Sequence, residues 1–192
     1  MKVFLDTNIL LDFVDHRDQR EQAGRIIEEG KQGNIQLFAS YLTYANMAFI
    51  LRHRSRDEKY RLLRQARQDI TVIAPTTEQL DYTIAHEVRD FEDLLQYRCA
   101  LDADCDVIVT NNTDDFEEFC QLPYMTSEDF VLNYFKSFLK SRTVSSGGFR
   151  AGTKATGRRA CSGMGLPLNW RGGTVIRPAQ KTTVQKYEEK AK

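Results

Sequence analysis

A short apolar run, Val3-Phe4-Leu5, ends abruptly on Asp6 and two small polar residues, Thr7 and Asn8. A strand that delivers an acid at its carboxyl end puts it where open α/β sheets assemble their sites. Two later segments offer acids in comparable positions. Asp90-Phe91-Glu92-Asp93 opens a helical pattern, and Val107-Ile108-Val109-Thr110 runs into Asn111-Asn112-Thr113-Asp114-Asp115-Phe116. If these strands are neighbours in one parallel sheet, Asp6, Asp93 and Asp115 converge. Carboxylates held that close repel one another, so the site must either bind protons or hold a hard cation. Mg²⁺ accepts one or two carboxylates with waters and phosphate oxygens, lowers the pKa of a bound water and neutralises charge on a phosphodiester. Asn8 can hydrogen-bond a neighbouring carboxylate and fix its rotamer, and Thr110 can do the same or orient the attacking water. Each acid also has a plainer reading. Asp6 can cap a helix, Glu92 and Asp93 can favour a helix N-terminus, and Asp115 can cap a short helix through Phe119.

The elements that must position these residues follow from periodicity. Lys2–Leu5 reads as a buried strand, and Asn8–Phe13 as a first helix with apolar positions at 9, 10 and 13. A second helix runs from Asp18 to Gln32 with Ala23, Ile26 and Ile27 inward, and Gly30 and Gly33 end it as C-caps. Ile35–Ala39 is the second strand. Thr43–Arg54, with Ala45, Phe49 and Ile50 on its apolar face, and Asp57–Gln68 form a helical hairpin. Ile70–Ile73 is a third strand, and Pro75-Thr76-Thr77-Glu78 starts a helix with its own capping groups. Phe91–Leu101 is a helix, Asp106–Val109 a strand, Thr113–Phe119 a short helix, Gln121–Met125 a weak strand and Ser127–Lys140 the last helix. Strands alternating with helices predict a three-layer α/β/α sandwich around a mostly parallel sheet.

The formal net charge is +0, but it is a cancellation: residues 1–140 hold 16 Lys and Arg against 25 Asp and Glu, and residues 141–192 hold 11 against 2. The acidic body argues against a large nonspecific DNA-binding surface, leaving Arg52, His53, Arg54 and Arg56 as a local basic rim or as a solvated helix face. Eight of the 11 glycines fall in residues 141–192, where no apolar period persists. This divides the chain into a domain over residues 1–140 and a basic, disordered tail. Cys99, Cys105, Cys120 and Cys161 have no zinc-site spacing and suit a reducing compartment. No apolar run approaches the roughly 20 residues of a membrane span. The expectation is a soluble, cytoplasmic protein.

Taken together and in order, Phe-Leu-Asp-Thr-Asn at the start, Asp-Phe-Glu-Asp-Leu-Leu-Gln with Ala100 after it, and Ile-Val-Thr-Asn-Asn-Thr-Asp-Asp-Phe resemble the PIN domain family over about residues 1–135. The likeness is greatest to bacterial members related to VapC-type toxins in which Asn replaces some acids. The resemblance implies a Mg²⁺- or Mn²⁺-dependent ribonuclease, often dimeric and often paired with an antitoxin. It assigns Asp6, Asp93 and Asp115 to the metal, with Asn8, Asn46, Thr110, Asn112 and Glu92 in support. Two positions depart from most such nucleases: Asn46 stands where a Glu is usual, and Asn112 where many have Asp. With fewer carboxylates the expected site binds metal more weakly, unless Glu92 or Asp114 compensates.

Two other classes fit parts of the chain. A PIN-like module that binds RNA or a protein without cutting is consistent with the two asparagines. A phosphotransfer enzyme of the aspartyl-phosphate type also starts with a strand ending in Asp, but needs a second Asp where this chain has Asn8.

Overall fold

The computed structural model describes residues 1–145. Within them β1 (Lys2–Leu5) leads into α1 (Thr7–Val14) and α2 (Arg20–Lys31), and β2 (Gln36–Ser40) into the hairpin of α3 (Tyr41–Ile50) and α4 (Arg56–Arg67). There follow β3 (Ile70–Ile73), α5 (Thr77–Ala85), α6 (Phe91–Asp102), β4 (Val107–Val109), β5 (Tyr124–Met125) and α7 (Ser127–Ser145). The five strands form one sheet in the order β3-β2-β1-β4-β5, and every pairing is parallel. The predicted α/β/α sandwich is the observed one.

Alternation along the strands divides the core. Val3, Leu5, Val107 and Val109 face a cluster that includes Ile9, Leu10, Ile26, Leu37 and Met47. Phe4 and Ile108 point the other way, onto Leu94, Tyr97, Ala100 and Phe116. Side chains of successive strand residues leave opposite faces, so each strand needs apolar residues at every position once helices cover both sides. Phe4 is completely buried, which contributes about 2–3 kcal/mol.

The chain reaches β1 and β2 on one side of the sheet and then returns to place β4 on the other side of β1. Between β1 and β4 the connections therefore part in opposite directions, leaving a crevice beyond the carboxyl ends of those strands. Leu5 pairs with Val109, so Asp6 and Thr110 leave the sheet side by side.

Several expectations are corrected. Ala45 and Phe49 are exposed, Phe49 to 50%, and α3 instead buries Thr43, Met47 and Ile50. Helical rotation carries positions 43, 47 and 50 together, and 45 and 49 fall off that line. The helix predicted over Thr113–Phe119 is only a 3₁₀ turn at Thr113–Asp115. Of the two glycines read as caps, Gly33 has a φ of +74° just past the end of α2 and serves that purpose. Gly30 lies inside the helix, and a Cβ there would stand 2.3 Å from Leu37 Cδ1 and 2.7 Å from Leu37 Cγ. It is glycine because β2 passes against it. Gly30→Ala gains about 1 kcal/mol of helix propensity, yet should destabilise the protein by about 1–2 kcal/mol net through overpacking of Leu37. Urea unfolding measures this, and an unchanged or raised midpoint would show that Leu37 yields freely.

The last helix runs to Ser145, past the boundary expected at residue 140. The rest of the tail expected to be disordered, residues 146–192, lies outside the described residues.

Candidate metal centre

The acids reach the crevice from three places in the fold: the end of β1, the start of α6 and the turn after β4. Asp6 follows the last residue of β1 and N-caps α1, its Oδ1 accepting from the Thr7 amide. Asp90 N-caps α6, and its Oδ1 accepts from the amides of Glu92 at 3.0 Å and Asp93 at 3.2 Å. That cap turns the first helical turn, with Glu92 and Asp93, toward the crevice, while Leu94, Tyr97 and Ala100 anchor the helix in the core. Asp115 ends the 3₁₀ turn after β4.

Asp90, Asp93 and Asp115 each offer an oxygen within 4.8 Å of the other two. Asp93 and Asp115 are buried, Asp93 being 2% exposed, and Asp93 Oδ2 has no hydrogen-bond partner. Such an orphaned carboxylate oxygen is costly in a protein interior. Burial raises the pKa of Asp93 well above the usual carboxylate range, and the charges of Asp6, Asp90, Glu92 and Asp115 push it further in the same direction. An all-oxygen set of this kind suits a hard divalent cation such as Mg²⁺ or Mn²⁺.

Asp6 stands beside this trio with both oxygens engaged. Oδ1 also accepts from Gln96 Nε2 at 3.3 Å, and Oδ2 accepts from Asn8 Nδ2 and from Thr110 Oγ1 at 2.8 Å. Its carboxyl rises to about 6, because burial outweighs the hydrogen bonds from Thr110, Thr7 and Gln96. Asn8 and Thr110 thus both donate to the same oxygen of Asp6. Asn112 donates to Asp115 Oδ2, and its amide donates to Thr110 Oγ1 at 3.0 Å. Asn46 donates to Glu92 Oε1, the oxygen that Gln96 Nε2 also reaches at 3.2 Å. Burial and the charges of Asp6 and Asp90 raise Glu92 to about 8, although the Asn46 bond opposes this. Asn46 therefore brings a carboxylate to the crevice from α6 where α3 itself provides none.

Sequence reasoning assigned no role to Asp90, Gln96, Asn111 or Arg89. Gln96 lies three residues after Asp93 and four after Glu92, the helical spacing that marks one face, and its own Oε1 accepts from Thr43 at 3.1 Å. Asn111 ties the crevice together: its amide donates to Asn8 Oδ1 at 3.0 Å, its side chain to Asp12 Oδ2 at 2.8 Å, and its Oδ1 accepts from the amide and hydroxyl of Ser127. No local pattern announces Arg89, which donates to Asp115 Oδ1 from the turn before α6.

The basic residues of α4 and the turn before it lie largely on the surface, and Arg54 pairs with Asp15 and Glu58. Among the described residues no helix is long and apolar enough to cross a membrane.

The PIN domain family model matches residues 2–114 of this chain. In fold the chain is similar to VapBC2 from Rickettsia felis, solved bound to a DNA fragment from their promoter. Identity to it is 18%, the match covers 66% of this chain and 98% of that one, and the TM-score is 0.52. It is also similar to VapBC-1 from nontypeable Haemophilus influenzae at 19% identity, over 67% of this chain and 99% of that one, with a TM-score of 0.52. No curated protein matches it.

Proposed function

Since this chain belongs to the PIN domain family, we propose that it is a Mg²⁺- or Mn²⁺-dependent endoribonuclease and the toxin of a toxin–antitoxin pair. The observation that carries this reading is Asp93, which offers an oxygen within 4.8 Å of oxygens of Asp90 and Asp115 and whose buried Oδ2 has no hydrogen-bond partner. The antitoxin as partner is supported by the likeness in fold to chains solved in VapBC assemblies. A homodimer and a cytoplasmic site of action belong to the same proposal.

In this reading Asp93 and Asp115 hold the ion, Asp90 adds a carboxylate from the start of α6, and Asp6 closes the site from the end of β1. A bound divalent cation supplies charge neutralisation at the phosphodiester and a water of lowered pKa. The chain's own contribution is orientation. Thr110, Asn8 and Gln96 fix the Asp6 carboxylate, and Asn112 fixes that of Asp115. Asn46 and Gln96 hold the Glu92 carboxyl at the edge of the cluster. Residues that orient metal ligands typically change metal affinity or activity by about 10–100-fold when lost.

Cleavage of a pool of structured and single-stranded RNA, with Mg²⁺ or Mn²⁺ against EDTA, tests the activity. Asp6→Asn and Asp115→Asn should each lower metal-dependent cleavage by at least about a hundredfold, beyond the loss expected from an orienting residue. A folded parent protein that is inert with both metals would leave a PIN-like binding module as the better description.

A further inference from the structure

Arg89 lies in the turn immediately before Asp90. Its Nη2 donates to Asp115 Oδ1 and, at 2.8 Å, to the backbone oxygen of Asp114. The other oxygen of Asp115, Oδ2, accepts from Asn112. Both oxygens of the carboxylate are thus engaged by protein donors before any ion arrives. The two donors differ in their freedom to leave. Asn112 is buried and its amide is bonded to Thr110, whereas the Arg89 side chain is 46% exposed against an Asp115 side chain with no exposure at all. The Arg89 amide donates to Glu118 Oε2 at 3.1 Å, so the turn keeps an anchor of its own when the guanidinium moves.

We propose that Arg89 is a built-in counter-ion for Asp115 that gives way to the divalent cation and is then handed over to the RNA phosphate. This inference rests on the nuclease reading. One guanidinium cannot neutralise Asp90, Asp93 and Asp115 together, and it leaves Asp93 Oδ2 without a partner. A divalent cation that answers all three competes with it for Asp115. Released, the guanidinium stands at the solvent rim of the cluster, where a phosphodiester must approach to reach the ion. Its planar fork matches two phosphate oxygens in a way that a lysine ammonium cannot. The pair with Asp115 weakens metal binding in the absence of RNA, and the handover makes RNA and metal assist each other's binding.

The test compares the full chain with Arg89→Gln and Arg89→Lys, each confirmed as folded by circular dichroism. Titration with Mn²⁺ alone measures the competition, and binding of a hydrolysis-resistant phosphorothioate single-stranded RNA in saturating Mn²⁺ measures the handover. Arg89→Gln should bind Mn²⁺ about two- to fivefold more tightly, the loss of a half-exposed ion pair, and should bind the RNA about tenfold more weakly. Arg89→Lys should fall between the parent and Arg89→Gln in both. Mn²⁺ affinity that does not rise in Arg89→Gln, or RNA affinity that does not fall, overturns the proposal. Neither measurement needs turnover, so a protein that cuts no RNA fails the nuclease reading and leaves this one to be decided separately.

Discussion

Asp93→Asn should make the metal-free protein more stable while abolishing metal-dependent RNA cleavage. In EDTA the parent must either carry a buried charge among Asp6, Asp90, Glu92 and Asp115 or hold a proton on Asp93 against the solvent pH, and both cost free energy. Holding a proton at neutral pH on a group whose ordinary pKa is 3.8 costs about 4 kcal/mol, which bounds the gain from above. Asparagine is nearly the same shape and neutral, and its amide can donate to the surrounding carboxylates. We expect a gain of about 1–3 kcal/mol, and a chain of this size gains about 2–4 °C in melting temperature for each. The same substitution removes the orphaned oxygen, so Mn²⁺ should raise the melting temperature of the parent and leave that of the variant unchanged. Thermal melts with EDTA and with Mn²⁺, beside the cleavage assay, measure all of this. A variant less stable than the parent in EDTA would mean that Asp93 supports the fold and was not placed there for an ion.

The strand ending in Asp6, the α6 face and the β4 turn are continuous segments whose periodicity shows in the chain, and parallel pairing of β1 with β4 sets Asp6 beside Thr110. Asn8 and Thr110 could be assigned because strand ends fix what lies beside Asp6. Asp90 is not legible as a member of the trio, because a cap is the commoner reason for Asp before a helix and its capping geometry is the one that brings it to Asp93 and Asp115. Asn46 looked like a missing acid; only the approach of α6 to α3 shows that it holds Glu92. Arg89 was illegible for a related reason. Its contact with Asp115 spans 26 residues and two turns, which no periodic pattern encodes. Phe49 failed differently, since α3 carries apolar residues on more than one side and its sequence alone does not say which side is inward.

Without metal, the protein should lose stability as pH rises from about 5 to about 8, the reverse of ordinary acid denaturation. The sign follows from the raised carboxyls. Asp6 moves from 3.8 to about 6 and Glu92 from 4.5 to about 8, so between the ordinary and the folded values the native state binds more protons than the unfolded chain. Their contribution is complete below pH 3.8 for Asp6 and pH 4.5 for Glu92, and it is lost as pH passes about 6 and then about 8. At about 1.4 kcal/mol per pKa unit the combined loss is on the order of a few kcal/mol. Mn²⁺ competes with these protons for the same oxygens, so the stabilisation it gives should grow across the same interval and cancel the decline. Melting curves at about pH 5, about pH 6.5 and about pH 8, with EDTA or Mn²⁺, follow both effects, and Glu92→Gln should flatten the upper part of the metal-free decline. If the parent in EDTA instead becomes steadily more stable through that interval, its carboxyls are ionised at no cost to the fold. The cluster would then lack the electrostatic strain that a divalent cation is invoked to relieve.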